Sequence, residues 1–538
     1  MSVGGGTMTG MRLVDVAEAS AAVAATRSRL AKREVLAAAL RKAAAAGPDE
    51  VALATRYLSG QLRQRRTGLG WRSLAGLPEP ADEPSLTLTE VDDAFEEMAG
   101  VSGAGSAGAR AASAARLFGA ATATEQRLLR GLVTGELRQG ALDALVLDAV
   151  AAAAGVPEAA VRRAAMLAGD SAPVAAAALG AVDPSGALAA LETFRLTVGR
   201  AVRPMLAQSA PDVAAAFTSL RVDGAADRPA VVDVKLDGIR IQVHRDGAEV
   251  RVFTRSLDDI TARVPEVVAA VRSMPADRLV LDGEAVSLDA TGRPRPFQET
   301  SSRTATRDAD VAAGTALTPF FFDVLHLDGR DLLDAPLRER LAVLDSVGAG
   351  YVVQRVVTAD AVTAAARFHE WVAAGQEGVV VKAVDAPYEA GRRGAAWVKV
   401  KPRHTLDLVV LAVERGSGRR SGLLSNIHLG ARDGHGGFVM LGKTFKGMTD
   451  EMLAWQTRRF AALAASDDGW VVRLRPEQVV EVAFDGLQRS SRYPGGVALR
   501  FARVLRYRED KPADEADTLQ TVLALADRDR PVDDRATS

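Results

Sequence analysis

The sequence has 538 residues, of which 48% are hydrophobic and 25% are charged. At roughly 150 residues per domain, this length predicts about three globular domains. The net charge of -1 excludes a protein that binds nucleic acid through overall positive charge, so any such contact must come from local basic clusters. The absence of cysteine excludes disulfides and cysteine-ligated zinc and favours a cytoplasmic location. Apolar stretches are short and interrupted by charges, so no membrane association is expected.

The chain up to about residue 200 is predicted to be helical throughout. From Val14 to Ala44, apolar residues recur at intervals of three and four, with charged residues between them. The glycine- and serine-rich stretch 100–108 predicts a flexible break within this part. We therefore predict an all-α domain over residues 11–200, preceded by a loose extension.

One eight-residue pattern occurs twice in the helical part. Residues 57–64 (YLSGQLRQ) and 132–139 (LVTGELRQ) share two apolar residues, a hydroxyl residue, Gly, a polar residue and then Leu-Arg-Gln. Two similar helical hairpins in an alanine-rich chain explain this repeat as well as two loops that grip a duplex backbone. Glycine permits close approach, backbone amides and a hydroxyl can meet phosphate, and Arg adds charge. The first copy continues into Arg65, Arg66 and Arg72, which favours the second explanation.

Strand-like patterns begin only after about Pro204. Short apolar runs bounded by Gly or Asp continue to about Lys401 and predict a mixed α/β domain over residues 201–403. Further runs predict a small β-rich domain over residues 404–525, with a last helix at 518–526. The polar stretch 526–538 is expected to be a disordered tail. A hinge is predicted at 401–407, where one strand pattern ends and another begins.

One motif in the α/β part combines a lysine, a carboxylate and a glycine. Residues 235–240 (KLDGIR) lie between two predicted strands. A lysine becomes a nucleophile when burial or cationic neighbours lower its pKa, and a following Arg can bind phosphate or ribose. If the first strand alternates, Asp233 points to the same face as Lys235. Taken alone, the K-x-D-G pattern is more often a hairpin turn with an exposed lysine.

Five further segments follow this motif along the chain. They are 253–256 (FTRS), 281–286 (LDGEAV), 322–325 (FDVL), 377–382 (EGVVVK) and 397–401 (WVKVK). In this order, the set resembles the nucleotidyltransferase motifs of covalent ATP-dependent DNA ligases. Ordinary surface turns and core strands can explain each segment taken singly, but they do not explain the order of the segments along the chain.

The resemblance extends over nearly the whole chain. Residues 203–207 (RPMLA) resemble the entry to the family's nucleotidyltransferase domain, and 499–511 (LRFARVLRYREDK) resemble its last motif. The helical part looks like the DNA-binding domain of archaeal-type and actinobacterial ligases. The implied multidomain fold has an all-α N-terminal DNA-binding domain, an α/β, ATP-grasp-like nucleotidyltransferase domain and a β-barrel oligonucleotide-binding (OB) domain. The chain departs from the family at Asp233, Ser256 and Ala502, where Glu, Asn and Pro are usual or frequent.

The resemblance also implies a role for each candidate residue. Lys235 is implied to attack the α-phosphate of ATP and to form a phosphoramidate. Asp233 would contact the adenine edge and Phe322 would stack on adenine, although Phe322 could equally be a core aromatic. Glu284 would contact ribose, and Glu284 and Glu377 would hold Mg²⁺, a hard cation that prefers oxygen ligands.

Arginines and lysines are implied to bind phosphate groups. Arg240 and Arg255 would hold nucleotide or nick phosphates, for which a planar guanidinium is well matched. The cationic edge at the α-phosphate would consist of Arg393, Lys399 and Lys401. The last motif would orient departing pyrophosphate through Arg500, Arg503, Arg506 and Lys511.

The reaction implied by the resemblance is nick sealing in duplex DNA by a monomer, in replication, repair or recombination. Lys235 takes AMP from ATP, AMP passes to the 5′-phosphate, and the 3′-hydroxyl displaces it. NAD is disfavoured as the donor, because that ligase class usually carries a cysteine zinc finger. The large helical part argues against an RNA ligase or an mRNA-capping guanylyltransferase. Retention of Lys235, Glu284, Glu377 and Lys399 argues against a non-catalytic DNA-binding scaffold.

Overall fold

The computed structural model describes residues 10–64, 67–137, 143–222, 228–295, 297–305, 316–348, 350–389, 393–402 and 404–528. Within these ranges, every regular element before residue 193 is a helix. The helices are α1 (Leu13–Ala25), α2 (Arg29–Ala46), α3 (Pro48–Leu58), α4 (Leu88–Gly100), α5 (Ser106–Gly119), α6 (Ala123–Thr134), α7 (Asp143–Ala154), α8 (Glu158–Ala168), α9 (Ser171–Leu179) and α10 (Pro184–Glu192), with one 3₁₀ turn at Trp71–Leu74. Over the same ranges, no helix is both long and apolar enough to span a membrane.

Local capping and apolar spacing explain these helices. Thr87 and Thr122 each form a capping box, in which the hydroxyl accepts from the N–H of Glu90 or Glu125 and the glutamate accepts in return. Of the predicted break at 100–108, only residues 101–105 separate α4 from α5, because Gly100 ends α4 and Ser106 begins α5. The apolar faces of the helices pack into one shared core.

Each copy of the repeated pattern begins in the last residues of a helix and continues into the loop that follows. Gly60 follows α3 and Gly135 follows α6, with φ angles of 76° and 67°. This left-handed conformation is the one that glycine adopts at helix C-termini. Leu137 of the second copy lies so close to Gly60 that a Cβ added there would be 3.4 Å from the Leu137 Cβ. The two loops are therefore neighbours on one surface.

Two five-stranded sheets form the middle of the described chain. In chain order, the elements are β1 (Leu206–Ser209), α11 (Val213–Leu220), β2 (Ala230–Lys235), β3 (Ile239–Asp246), β4 (Glu249–Thr254), α12 (Pro265–Arg272), β5 (Arg278–Ser287), α13 (Phe297–Ala305), β6 (Leu317–Leu327), β7 (Arg330–Asp331), α14 (Leu337–Val347), β8 (Arg355–Thr358), α15 (Ala361–Ala373), β9 (Gly378–Ala383) and β10 (Arg393–Val400). One sheet has the order β1-β10-β9-β2-β8, with β1 parallel to β10, and the other has the order β4-β3-β5-β6-β7.

The turn at 235–240 crosses from one sheet to the other. Lys235 is the last residue of β2 in the first sheet, and Ile239 is the first residue of β3 in the second. Gly238 makes this crossing possible, because a Cβ there would lie 2.4 Å from the Ala285 carbonyl oxygen. The turn therefore packs directly against β5.

Side chains of β3 hold the connection between the helical part and β1. Gln242 accepts the Val202 N–H at 2.8 Å and donates to the Val202 carbonyl at 3.1 Å. His244 Nδ1 accepts the Gly199 N–H at 3.1 Å, which requires a neutral ring. Burial lowers the pKa of His244 to about 3, so the ring remains neutral at ordinary pH.

The helical part is also docked directly on the sheets. Met166 and Leu167 of α8 pack in one buried cluster with Val280 and Leu325 of the second sheet. Arg163 donates two hydrogen bonds to Asp334, at 2.7 and 2.6 Å. The paired loops are thus held at a definite position relative to the turn at 235–240.

The remainder of the described chain forms a seven-stranded antiparallel sheet, a two-stranded ribbon and two helices around one core. In chain order, the elements are β11 (His404–Arg415), β12 (Leu424–Arg432), β13 (Phe438–Thr444), α16 (Asp450–Leu463), β14 (Ala464–Asp467), β15 (Val471–Leu474), β16 (Val479–Phe484), β17 (Gly486–Arg489), β18 (Val497–Arg500), β19 (Arg503–Arg508) and α17 (Leu519–Arg528). Residues 526–528, assigned above to a disordered tail, belong to α17, and 529–538 lie outside the described residues.

The predicted hinge overlaps the start of β11. Pairing with β16 begins at His404, which lies opposite Phe484, and Asp407 lies opposite Glu481. The N–H of Asp407 donates to Asp517 at 2.8 Å. Residues 404–407 are therefore part of the C-terminal sheet, which leaves only the residues before them for the predicted hinge.

Candidate active site

A cavity of about 210 Å³ lies where the two central sheets meet. Its walls come from strands that are far apart in sequence, from β1 to β10. Seven predicted site residues line it: Asp233, Lys235, Arg240, Arg255, Glu284, Phe322 and Lys399. The fold thus brings together residues from all five segments that follow the Lys235 motif, with Lys382 representing the segment 377–382.

Lys235 forms an ion pair with Glu377 at the edge of this cavity. The N–H of Glu377 also donates to the Lys235 carbonyl at 3.1 Å, so backbone and side chain fix the two residues together. Burial acts to lower the pKa of Lys235, but the carboxylates of Glu377, Glu284 and Asp237 outweigh it and raise the pKa. The expectation of a lowered lysine pKa is therefore wrong for this state of the protein.

Glu377 lies between two ammonium groups. Its second oxygen pairs with Lys401, whose Nζ is also 3.6 Å from Asp485 of the C-terminal part. Burial acts to raise the pKa of Glu377, but Lys235 and Lys401 outweigh it and lower the pKa. Glu377 is therefore ionised here and could act as an oxygen ligand. Lys401 lies beside the cavity, at the contact between the two parts.

Glu284 has the opposite electrostatic environment. It lies on β5 opposite Arg240 of β3, and it lines the cavity. Burial raises the pKa of Glu284 to about 7, although Lys235 and Arg240 oppose this shift. A carboxylate with this pKa is readily ionised when positive charge enters the cavity.

Asp233 forms a buried ion pair with Lys382. The carboxylate and the ammonium are 2.5 Å apart, and both side chains are 2% exposed. The Lys382 Nζ also lies 4.6 Å from the centre of the Phe322 ring and 4.3 Å from that of Trp397. Asp233 lines the same cavity as Lys235, as strand alternation predicts.

Phe322 fits both interpretations that its sequence left open. It lines the cavity, and it also packs edge-on against Trp397 with ring centres 5.8 Å apart. The neighbouring Lys399 lines the cavity on β10. The Arg393 side chain lies outside the described residues.

Arg240 is held by other groups of the protein at the wall of the cavity. Its guanidinium forms a two-pronged pair with Asp282, at 3.0 and 2.7 Å, and donates to the Met205 carbonyl at 2.7 Å. Tyr388 donates to the same aspartate at 2.6 Å and accepts the Met205 N–H at 3.0 Å. Three nitrogens of Arg240 are therefore bound within the protein, and its main role here is to hold β1 against the cavity rather than to offer a free fork to phosphate.

A second, much larger cleft of about 1890 Å³ lies between the helical part and the second sheet. Both repeated loops line it, through residues such as Gln61 and Gly135. The opposite wall is the loop that follows β4, including Arg255 and Arg263. Arg255 and Leu206 line both the cleft and the smaller cavity, so the two spaces meet there.

Not every basic residue of the repeat is available in this cleft. Arg63 of the first copy is held by Asp92 at 2.7 Å and Glu96 at 2.9 Å. Arg65, Arg66, the Arg72 side chain, Arg138 and Gln139 lie outside the described residues. The described loops therefore contribute mainly backbone and polar groups to the cleft.

Comparison with known proteins identifies the family. Residues 204–401 match the ATP dependent DNA ligase domain, 420–511 match the ATP dependent DNA ligase C terminal region, and 77–151 match the DNA ligase N terminus. A probable DNA ligase of Beutenbergia cavernae is 71% identical over 516 residues, covering 96% of this chain and 100% of that protein. The chain belongs to the ATP-dependent DNA ligase family.

Two further comparisons agree with this assignment. A probable DNA ligase of Kineococcus radiotolerans is 64% identical over 518 residues, covering 96% of this chain and 100% of that protein. A solved structure described as Pmar-Lig_PreS3 aligns with a TM-score of 0.60 over 92% of this chain and 99% of that chain. At 18% identity, that structure shows the fold alone.

The family resemblance expected from the motifs is confirmed. The protein is an ATP-dependent DNA ligase, an enzyme that forms phosphodiester bonds, and its family seals nicks through adenylate intermediates. The predicted multidomain, mixed α/β fold is confirmed at the level of its catalytic and C-terminal ligase regions.

The last motif of the ligase is divided between two locations. Arg500 pairs with Asp237 of the 235–240 turn at 3.0 Å, and Arg503 pairs with Asp485 at 3.1 Å. Arg506 instead pairs with Glu481 at 2.6 Å and is 63% exposed. Lys511 pairs with Asp407 at 2.9 Å. Arg506 and Lys511 are therefore paired with carboxylates of the C-terminal sheet here, and the prediction that all four cations serve pyrophosphate stays a prediction.

Several residues of this ligase site were missed by sequence reasoning. Lys382 and Trp397 line the cavity, and each stands at one end of a motif that the sequence analysis quoted, so their positions were available as a clue. Asp282 likewise lies within the motif 281–286. Asp485 has no such clue, because it matters only through the contact between two parts of the fold.

Proposed function

We propose that this ligase acts as a monomer on nicked duplex DNA, with Lys235 as the residue that carries AMP. The observation that supports this proposal most strongly is the meeting of the two spaces at Arg255 and Leu206. The smaller cavity has the mixed aromatic and charged lining of a nucleotide site, and the larger cleft beside it offers room for a nucleic acid backbone. A 5′-phosphate in the cleft would reach AMP on Lys235 by way of Arg255.

We assign one task to each part of the chain. Residues 11–200 bind the duplex, residues 201–403 perform adenylation, and residues 404–525 form the OB domain. The paired loops that line the cleft support the first assignment, because backbone amides beside glycine suit phosphate contacts. The cavity between the sheets supports the second.

The cavity lining suits an adenine nucleotide. Phe322 offers a partly exposed ring for stacking, and Asp233 lies at the same wall as Lys382. Glu284 is placed for the ribose, and Lys399 and Lys401 for the α-phosphate. Clustered cations of this kind neutralise charge that develops on phosphorus during group transfer.

The two glutamates also suit Mg²⁺. Glu377 and Glu284 flank Lys235, and Mg²⁺ is commonly held by one or two carboxylates together with substrate phosphates. The ionised Glu377 and the easily ionised Glu284 fit that requirement. When bound, the ion would add positive charge at the phosphate groups. The protein's own contribution is to hold the Lys235 ammonium beside Glu377 until the substrate arrives.

Mass spectrometry after incubation with ATP and Mg²⁺ tests this proposal directly. We expect an AMP adduct on the peptide that contains Lys235, and loss of that adduct when nicked duplex DNA is added. NAD as the sole donor should give no adduct. An adduct on another residue, or one that nicked DNA does not discharge, would contradict the proposed function.

A further inference from the structure

Five charged side chains form an alternating series that crosses the contact between the adenylation and OB domains. The series runs from Lys235 to Glu377, then to Lys401, Asp485 and Arg503. The first three belong to residues 201–403 and the last two to residues 404–525. Each charge thus has a neighbour of opposite sign, and within this series the contact between the two domains runs from Lys401 to Asp485.

Asp485 is anchored at three points. Its Oδ1 accepts from Arg503 at 3.1 Å, and its Oδ2 lies 3.6 Å from the Lys401 Nζ. Its backbone N–H donates to the carbonyl of Arg500 at 3.0 Å. The Asp485 side chain is 23% exposed, so solvent screens these pairs only in part.

A closely similar pair lies on the same two strands but does not face the adenylation domain. Glu481 of β16 pairs with Arg506 of β19 at 2.6 Å, and its side chain is 22% exposed. The two carboxylates therefore have the same burial and the same type of partner. Only Asp485, at the end of β16, is also close to a residue of the adenylation domain, Lys401.

We propose that Asp485 is a positioning residue for lysine adenylation. It holds Arg503 and Lys401 side by side at the mouth of the nucleotide cavity while the OB domain is closed over it. Two cations held in this way can bind the phosphates of ATP without first being ordered. Less conformational entropy is then lost on reaching the reactive geometry. This inference rests on the proposed function, in which those two cations bind phosphate.

The proposal distinguishes the steps of the reaction. Arg503 and Asp485 can lie beside Lys401 only in the closed arrangement described here. The final step needs the nick at the same mouth, so it proceeds after this contact has opened. Loss of Asp485 should therefore affect adenylation by ATP and leave sealing of a pre-adenylated nick nearly intact.

The test compares Asp485→Asn with Glu481→Gln in the full-length protein. We expect Asp485→Asn to slow adenylation at saturating ATP about 10- to 100-fold, and to change sealing of pre-adenylated nicked DNA by less than about threefold. Asp485→Glu, which keeps the charge, should recover most of the adenylation rate. Glu481→Gln should leave both steps within about twofold of the unchanged protein.

Three results would overturn the proposal. They are equal loss of both steps in Asp485→Asn, faster adenylation in that variant, or equal effects in Asp485→Asn and Glu481→Gln. Thermal unfolding of each variant checks whether the contact between Asp485 and Lys401 matters only for stability. If Asp485→Asn unfolds at a lower temperature and Asp485→Glu does not recover the adenylation rate, the role of Asp485 is purely structural. Failure of the proposed function is seen separately, as an AMP adduct that persists in Lys235→Ala.

Discussion

The two spaces of this ligase are built from different parts of the fold. The cavity of about 210 Å³ is enclosed mainly by strands of two sheets, and its charged side chains are held by buried partners such as Asp282 and Lys382. The cleft of about 1890 Å³ is lined by loops from the helical part and by the loop after β4. Strands hold side chains in nearly fixed directions, whereas loops present backbone groups and can adapt. The difference suits precise chemistry in one space and binding of a long substrate in the other.

The largest effect is expected from removing Lys235, the nucleophile that we propose for the small cavity. Lys235→Ala should abolish both the AMP adduct and ATP-dependent sealing, because it removes the amine that lies beside both Glu377 and Glu284 at the cavity. The adduct is measured by intact-protein mass spectrometry. Lys42→Ala, which removes an exposed lysine paired with Asp15, serves as the control and should behave like the unchanged protein. Full activity in Lys235→Ala would sink the mechanism.

The next effect tests the point where the two spaces meet. Arg255→Ala should slow AMP transfer to the nick by roughly 10²- to 10³-fold, because it removes a charged donor from the developing phosphate charge. Lysine adenylation should fall less. Single-turnover assays of adenylated enzyme on nicked DNA give the rate.

Arg263 provides the matched control for this prediction. It lines the cleft with Arg255 but does not line the small cavity. Arg263→Ala should weaken nick binding without changing the transfer rate at saturating DNA. If the rate of AMP transfer at saturating DNA falls equally in both variants, Arg255 has no role of its own at the junction of the two spaces.

A third comparison concerns stability. Asp233→Asn removes the charge that neutralises the Lys382 ammonium, and both side chains are 2% exposed. An unpaired buried charge should lower the free energy of unfolding by about 3–5 kcal/mol. Urea unfolding followed by tryptophan fluorescence measures this loss.

Asp258, an exposed residue of the cleft, is the control. Its carboxylate accepts from Ser256 at 2.6 Å. Asp258→Asn should change the free energy of unfolding by less than about 1 kcal/mol, as is usual for exposed polar groups. Similar losses in the two variants would contradict the contrast between a buried cavity and an open cleft.

The smallest effect concerns the shape of the cleft loops. Gly60 has a φ of 76°, and a Cβ there would lie 3.4 Å from Leu137 of the other loop. Gly60→Ala should weaken binding of nicked duplex several-fold, since the left-handed conformation costs a side chain about 1–2 kcal/mol. Fluorescence anisotropy over a salt series measures this loss, and binding should also fall steeply with salt.

Gly247, in the turn between β3 and β4, is the control that separates the effect of backbone strain from the effect of the shape of the cleft loops. Its φ is 59°, and nothing lies within 4 Å of an added Cβ. Gly247→Ala should therefore lower the free energy of unfolding about as much as Gly60→Ala does, while the affinity for nicked duplex stays unchanged. Equal loss of affinity in both variants would mean that the repeated loops have no particular role in binding.

The local sequence was sufficient to predict the general type of secondary structure in each part of the chain and most of the charged residues that line the cavity. Apolar spacing predicted the helical part, and the ordered motifs predicted Asp233, Lys235, Glu284, Phe322 and Lys399, all of which line one cavity. These residues could be found because each lies in a motif on a strand, and the strand directs its side chain. The sequence did not reveal that Arg240 is held by Asp282 and Met205, because those partners come from other strands.

What the sequence determined by itself was the family, the order of its parts and the residue types that chemistry requires. The tertiary structure alone decided which charges neutralise one another. It raised rather than lowered the pKa of Lys235, and it directed Arg506 and Lys511 away from the cavity while it joined Asp485 to Lys401. The physical reason is that electrostatic energies depend on distance and burial, and both are set by contacts between residues that are remote in the chain.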